Sequence, residues 1–244
     1  MSRSARFQLC LLLKLVKPRL NRRIGLTSAP TGTEVECNVS TFAAFLPITL
    51  QDIAQRPPLI LIAGGPGAGK TVLGRELARH APSAILVDKD VLGGAWVDAM
   101  LHHLNNGHID RDSKIYWDVV RPLEYSSLLA TALDNLALGK TVIAVAPFGP
   151  ELHDPGWLQR LTESVNAVGG QLRTIWIETD AQTARLRMLM RDNARDSWKL
   201  SHWTEFSEKA QFTPPSADLL VLRNVGKMPL PDLVKQAVNY LQLP

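Results

Sequence analysis

Three observations predict an α/β domain built on a parallel sheet with helices on both faces. From Leu59 onward, short β-rich apolar runs alternate with longer helical ones. A glycine-rich turn separates the first apolar run from the first helical pattern. The chain's 244 residues, 45% of them hydrophobic, suffice for one domain of ordinary size plus an extension, and no separate second domain is expected.

In chain order, residues 1–57 read as a basic arm and linker, partly disordered, ahead of a domain over 58–244. Arg3, Arg6, Lys14, Lys17, Arg19, Arg22 and Arg23 precede the first acidic residue, Glu34, which leaves 20 basic against 23 acidic residues elsewhere. The globular part is therefore mildly acidic. The formal charge of +4 is no argument for nucleic-acid binding. The arm is either a peripheral extension or a targeting or membrane-surface element, because its Arg/Ser content and the run Leu9 to Leu13 fit both descriptions. That run is interrupted by Lys14 and is too short to span a bilayer, so no transmembrane segment is expected. Residues 24–57 combine linker-like Thr, Ser, Gly and Pro with a short packing segment from Phe42 to Leu50, and Pro57-Pro58 launches the first strand. Cys10 and Cys37 have no metal-ligand spacing and demand no disulfide, so a cytoplasmic location is expected.

Strands are expected near 59–63, 84–88, 141–146, 172–178 and 218–222. Helices are expected near 70–80, 91–105, 113–138, 155–168, 181–193 and 231–241. In such sheets ligands gather at the carboxyl ends of the strands, so the residues just after each strand carry the functional information.

After the first strand, Gly64-Gly65-Pro66-Gly67-Ala68-Gly69-Lys70-Thr71 fits G-x-x-x-x-G-K-[ST] at every fixed position, and Val72 continues into a helix. Phosphate oxygens need many donors at once. Glycines let successive backbone N–H groups turn inward, and the helix start adds its positive dipole end. Lys70 would reach the β- and γ-phosphates, and the Thr71 hydroxyl would sit on Mg²⁺. A glycine-rich turn that binds nothing is the bland alternative, and the intact strand, Lys-Thr pair and helix argue against it.

After the second strand come Asp88, Lys89 and Asp90. A carboxylate there could orient or deprotonate an acceptor hydroxyl, with Asp90 favoured and Asp88 second. It could hold Mg²⁺ through water, which is the metal role assigned to Asp88, or it could simply cap the next helix. Asp90-Val91-Leu92-Gly93 also matches the D-x-x-G of GTPases, but the spacing from Lys70 leaves no room for a switch loop and no N-K-x-D follows. After the third strand, Val145 stands where many P-loop proteins carry an aspartate. Metal binding then falls to Thr71, the phosphates, water and Asp88 or Asp90.

Arg187, Arg191 and Arg195 recur every four residues, so a continuous helix would put them on one face. They form either a lid that neutralises charge on a transferring phosphoryl group or a solvated basic face paired with Asp192 and Asp196. Trp198, Trp203 and Phe206 read as packing. His102, His103 and His108 read as helix or loop surface, and Tyr116, Val120, Leu123 and Leu128 as core.

On Gly64 to Thr71, Asp88 to Asp90, Ala146-Pro147-Phe148 and Arg191 to Lys199, the chain from about Pro58 to its end resembles the P-loop small-molecule kinases. These include gluconate kinase, shikimate kinase, chloramphenicol phosphotransferase and the zeta toxins, together with generic AAA-type ATP-binding proteins. The resemblance implies a P-loop NTPase three-layer sandwich with a five-stranded parallel sheet in the order 2-3-1-4-5. It also implies ATP as donor, Mg²⁺, an arginine-bearing lid around 185–210, and Arg223 to Gly226, with Asn224, beside the adenine. The expected activity is transfer of the γ-phosphate to a hydroxyl of a small molecule. The rival from another class is an ATP-binding switch or regulatory protein, which the missing aspartate favours. A mechanical AAA-type ATPase fits poorly, since no sensor region or helical lid domain is recognisable.

Overall fold

The computed structural model describes residues 56–193, 196–210, 212–226 and 229–242. The expectations for the N-terminal arm, both cysteines and Arg195 lie outside these residues. Among the described residues no helix is long and apolar enough to cross a membrane.

The first half runs β1 (Pro58–Gly64), α1 (Lys70–His80), β2 (Ile85–Asp88) and α2 (Lys89–Leu104). A single wide turn at Tyr116–Val120 leads into α3 (Arg121–Ala137) and β3 (Val142–Val145). Then come α4 (Gly149–Leu152), α5 (Pro155–Ala167), β4 (Gln171–Glu178) and α6 (Ala181–Arg191). The chain closes with α7 (Ser197–Ser201), α8 (Trp203–Lys209), β5 (Leu220–Arg223) and α9 (Leu230–Leu241). The strands pair in the order β2-β3-β1-β4-β5, all parallel, as the resemblance implied.

Alternation along β1 builds the two cores. Leu59, Leu61 and Ala63 face Leu128, Ala132, Leu136 and Val165 from α3 and α5. Ile60 and Ile62 face Leu73 and Leu77 of α1 and Leu233, Val234 and Ala237 of α9. Period-two alternation with both faces apolar is what a strand covered on both sides requires. Each such side chain removed from water contributes ~1.5–3 kcal/mol, and this anchors β1 as the central strand.

Three features depart from the sequence expectation. The helix expected over 113–138 opens with the wide turn at Tyr116–Val120 and becomes α-helical only at Arg121. A buried row then recurs every fourth residue: Tyr116, Val120, Glu124, Leu128, Ala132 and Leu136. Leu123, expected in the core, lies off that row and is 49% exposed. The second departure is that α6 ends at Arg191, where Asp192 adopts a left-handed conformation. Asp and Asn at 192 and 193 are weak helix formers, so the expected run to 193 stops short. Third, the short helices α4, α7 and α8 were not anticipated; α7 and α8 lie in the segment expected to form a lid.

Candidate active site

Backbone close approaches build the glycine-rich turn. Gly64 has φ +136, and a Cβ there would stand 2.4 Å from the Ile177 carbonyl oxygen of β4. Its N–H donates to the Pro147 carbonyl just after β3 at 3.1 Å, so the turn starts from a fixed point between two strands. Gly69, at φ +99, is the N-cap of α1 and leaves the first helical N–H groups without a side-chain cap, which is the condition for an anion to take that place. The remaining cradle residues follow from this geometry. Ala68 is buried, Gly65, Pro66 and Gly67 line the cavity, and Val72 is half exposed one residue beyond Thr71.

Lys70 folds back over the turn, its Nζ donating to the carbonyl oxygens of Gly64 at 3.0 Å and Gly65 at 2.8 Å. Burial lowers its pKa to about 8, against the opposing pull of Asp90; Arg191 and Lys89 push the same way as burial. Thr71 donates its hydroxyl to Asp88 Oδ2 at 2.8 Å. The other oxygen of Asp88 accepts the Asp90 N–H at 2.9 Å and so caps α2. One side chain thus caps α2 and accepts the Thr71 hydroxyl.

Asp90 stands at the first turn of α2, its Oδ1 3.0 Å from Lys89 Nζ and 3.3 Å from Arg111 Nη1. Lys89 is 6% exposed and also donates to Glu124 Oε1 at 2.9 Å. Glu124, only 1% exposed, accepts the Tyr116 hydroxyl on Oε2 at 2.8 Å and has Arg111 at 3.6 Å. A buried carboxylate is tolerable only when paired and hydrogen-bonded, and this one is both. Gly93 makes room for it, since a Cβ at that position would meet Glu124 Cγ at 3.3 Å. Burial and the Glu124 charge push the Tyr116 hydroxyl upward, so it remains a donor.

The arginines separate. Arg187 Nη1 donates to Gly67 O and Asn224 O, both at 3.2 Å, and Nη2 donates to Asn224 Oδ1 at 2.9 Å and Gly226 O at 3.2 Å. Asn224, 9% exposed, in turn donates its Nδ2 to Ala68 O at 2.8 Å. This pair ties the cradle to the segment after β5. Arg191 forms a two-pronged pair with buried Asp196, its Nη2 2.7 Å from Oδ1. With α6 ending at Arg191, the row of three arginines is not carried by one described helix.

A cavity of about 720 Å³ joins these parts. Lys70, Thr71, Arg187 and Arg191 line it together with Asp90, Arg111, Tyr116, Trp117, Arg121 and Tyr125, and with Trp198, Lys199 and Phe206 from the segment after α6. Arg121 is held by Glu151 through two bonds of 2.6 and 2.8 Å, and Lys199 Nζ lies 3.2 Å from Asp112. Sequence reasoning gave Lys89 no role of its own and passed over Arg111, Arg121 and Glu124. A signal existed for Glu124, which shares the four-residue spacing of the buried apolar row and therefore needed a buried cation. Arg111 and Arg121 carry no comparable local mark. His102, His103 and His108 are exposed.

Comparison with known proteins agrees with this architecture. No curated protein matches the chain. Among solved structures, the chain is similar to a protein of Chloroflexus aurantiacus provisionally described as a kinase, at 20% identity and a TM-score of 0.54, covering 76% of this chain and 98% of that one. It is also similar to a sugar kinase from Janibacter sp., at 14% identity and a TM-score of 0.51, covering 77% and 95%. A gluconokinase from Sinorhizobium meliloti aligns at 18% identity and a TM-score of 0.47, covering 77% and 93%. For the first two, at these identities, the likeness is one of fold, the P-loop α/β fold. The AAA domain family matches residues 59–215, a span that holds the glycine-rich turn, both aspartates and the α6 arginines, and the chain belongs to that family.

Proposed function

We propose that the chain is an ATP-dependent phosphotransferase that moves the γ-phosphate to a hydroxyl of a small molecule. The carrying observation is that Asp90, tethered by Lys89 and Arg111, lines the same cavity as Lys70 and the phosphate cradle. A carboxylate facing a phosphate site has a use in transfer: it orients the attacking hydroxyl and takes its proton. The backbone of Gly65 to Thr71 and Lys70 would hold the triphosphate, with adenine beside the segment at Asn224. Arg191, held on the cavity wall by Asp196, would face the transferring group, and Arg187 would brace the cradle. Thr71 and Asp88 fit Mg²⁺, being a hydroxyl and a carboxylate 2.8 Å apart at the cradle's edge. When bound, the ion would neutralise phosphate charge. A cytoplasmic location goes with this reading.

Asp90→Asn tests it: ATP affinity stays within about twofold while transfer falls by at least the ~10²-fold typical of a lost general base. Transfer surviving unchanged removes Asp90 from the reaction. A second reading, an ATP-holding switch, is favoured by Val145 at the end of β3. Tight ATP binding with no ADP release stimulated by any of a broad panel of sugars, nucleosides and aminoglycosides would select it.

A further inference from the structure

Among the described residues, each cation on the cavity wall outside the phosphate cradle is already engaged by a carboxylate, Arg191 by Asp196 at 2.7 Å. Both prongs of the Arg121 guanidinium are spent on Glu151, at 2.6 and 2.8 Å. Arg111 is committed to Asp98 at 2.8 Å and to Asp90 at 3.3 Å, and Lys199 to Asp112 at 3.2 Å. Lys89 is committed to Glu124, and Lys209 pairs with Glu205. The cradle side differs: Lys70 rests on carbonyl oxygens, Arg187 on carbonyl and amide oxygens, and the first N–H groups of α1 have no side-chain cap. Positive potential is thus concentrated where the donor phosphates would lie. Arg121 and Glu151 are only 12% and 11% exposed, so an acidic acceptor could recruit that cation only by leaving a desolvated carboxylate behind.

The surface that remains beyond Asp90 is aromatic. Trp117 is 45% exposed, and the Arg121 guanidinium lies 4.7 Å from its ring and 4.0 Å from that of Tyr125. The Tyr116 hydroxyl is spent on Glu124, so this residue offers a ring rather than a donor. Arg121 therefore serves as a rigid spacer between two rings, its charge cancelled from behind by Glu151.

Resting on the phosphotransferase reading above, we propose that the acceptor is a hydroxyl compound that bears no anionic group and packs an apolar ring face against Trp117. In the transfer step the acceptor oxygen bonds to the γ-phosphorus as the bond from that phosphorus to the bridging oxygen breaks. ADP leaves with that electron pair, and the hydroxyl proton passes to the Asp90 carboxylate.

The test uses the full chain with Mg·ATP and matched probes in which only charge changes: phenyl β-D-glucuronide, D-gluconate and hydroxymethylbenzoate, each against its own amide. Phosphorylated product is read by mass spectrometry. The expected result is at least tenfold higher kcat/KM for the amides of the ring-bearing probes, and a matching loss for them in Trp117→Ala. Glu151→Gln, which uncovers Arg121, is expected to narrow the preference towards the acids, and Asp112→Asn does the same through Lys199 if the first variant fails to fold. Preference of the wild-type chain for an acid overturns the inference while leaving the phosphotransferase reading intact. Binding of Mg·ATP with transfer to no probe of either charge, and with no ADP release stimulated by the broad panel of sugars, nucleosides and aminoglycosides, overturns both.

Discussion

Asp88 and Val145 are register partners at the ends of β2 and β3, and the Asp88 carboxylate accepts the Thr71 hydroxyl 2.8 Å away. Under the proposed function, Asp88 would supply from the neighbouring strand the carboxylate absent after the third, against the residue that would hold the metal. Asp88→Asn keeps the cap on α2, because Asn caps as well as Asp does, but it removes the charge together with the oxygen that accepts the Thr71 hydroxyl. The expected outcome is ATP affinity without metal close to wild type, with the Mg²⁺ concentration for half-maximal turnover raised about 10- to 100-fold. A Mg²⁺ titration of ADP release checks it, and an unchanged midpoint would remove Asp88 from the metal site.

Lys70 gives the ligand-free chain a pH signature. Burial lowers its pKa to about 8, so the folded state releases a proton that the unfolded chain keeps up to about 10.5. Two consequences follow from the sign. Stability is penalised below pH 8, and the penalty fades as pH rises from there toward 10.5. ATP prefers the ammonium form, so its Kd is expected to weaken by up to tenfold per unit above pH 8. Calorimetry in buffers of differing ionisation enthalpy should find proton uptake on ATP binding near that pH. Lys70→Met is expected to unfold at higher temperature than wild type at pH 7 and to bind ATP far more weakly.

The pair Lys89–Glu124, at 7% and 1% side-chain exposure, predicts a non-additive pair of substitutions. Lys89→Met leaves Glu124 with Tyr116 and the more distant Arg111, and such losses cost about 3–5 kcal/mol. The double variant Lys89→Met/Glu124→Gln leaves no buried unpaired charge and is expected to recover more than half of that loss in urea denaturation. Turnover is expected to stay low in both, because Asp90 loses the Lys89 ammonium 3.0 Å away. Recovery of turnover in the double variant would show that Lys89 does not position Asp90.

How much of this was legible in the sequence depended on whether local pattern or tertiary meeting decided the feature. The cradle, Thr71 and the five strands are local: fixed spacing and alternation determine them, and boundaries shifted by only a residue or two. Asp88 was legible as a candidate but not as cap and Thr71 partner at once, since that requires β2 to end opposite Val145. Glu124 was legible only through the four-residue spacing it shares with the buried row, which the wide turn at Tyr116–Val120 carries off Leu123. Arg111 and Arg121 find their acids 13 and 30 residues away in sequence, and no periodicity marks such pairs. Arg187 was readable as a basic residue near the site. Its engagement with Asn224, 37 residues on, depends on β5 lying beside β4.

Arg187 spans Gly67 of the cradle and Asn224 and Gly226 after β5, using a planar fork that a lysine ammonium cannot reproduce. Arg187→Lys is expected to lose about 1–2 kcal/mol of stability and to weaken ATP binding about tenfold, because the cradle carbonyl of Gly67 and the carboxamide of Asn224 lose their common donor. kcat at saturating ATP should change little. Arg191→Lys is expected to behave in the opposite way: it pairs with Asp196, on the cavity wall, so ATP affinity changes little while kcat falls about tenfold or more. Isothermal calorimetry with ATP and steady-state kinetics on both variants separate the two roles. If Arg187→Lys lowers kcat and leaves ATP affinity unchanged, Arg187 acts on the transferring phosphoryl group and the bracing role is wrong.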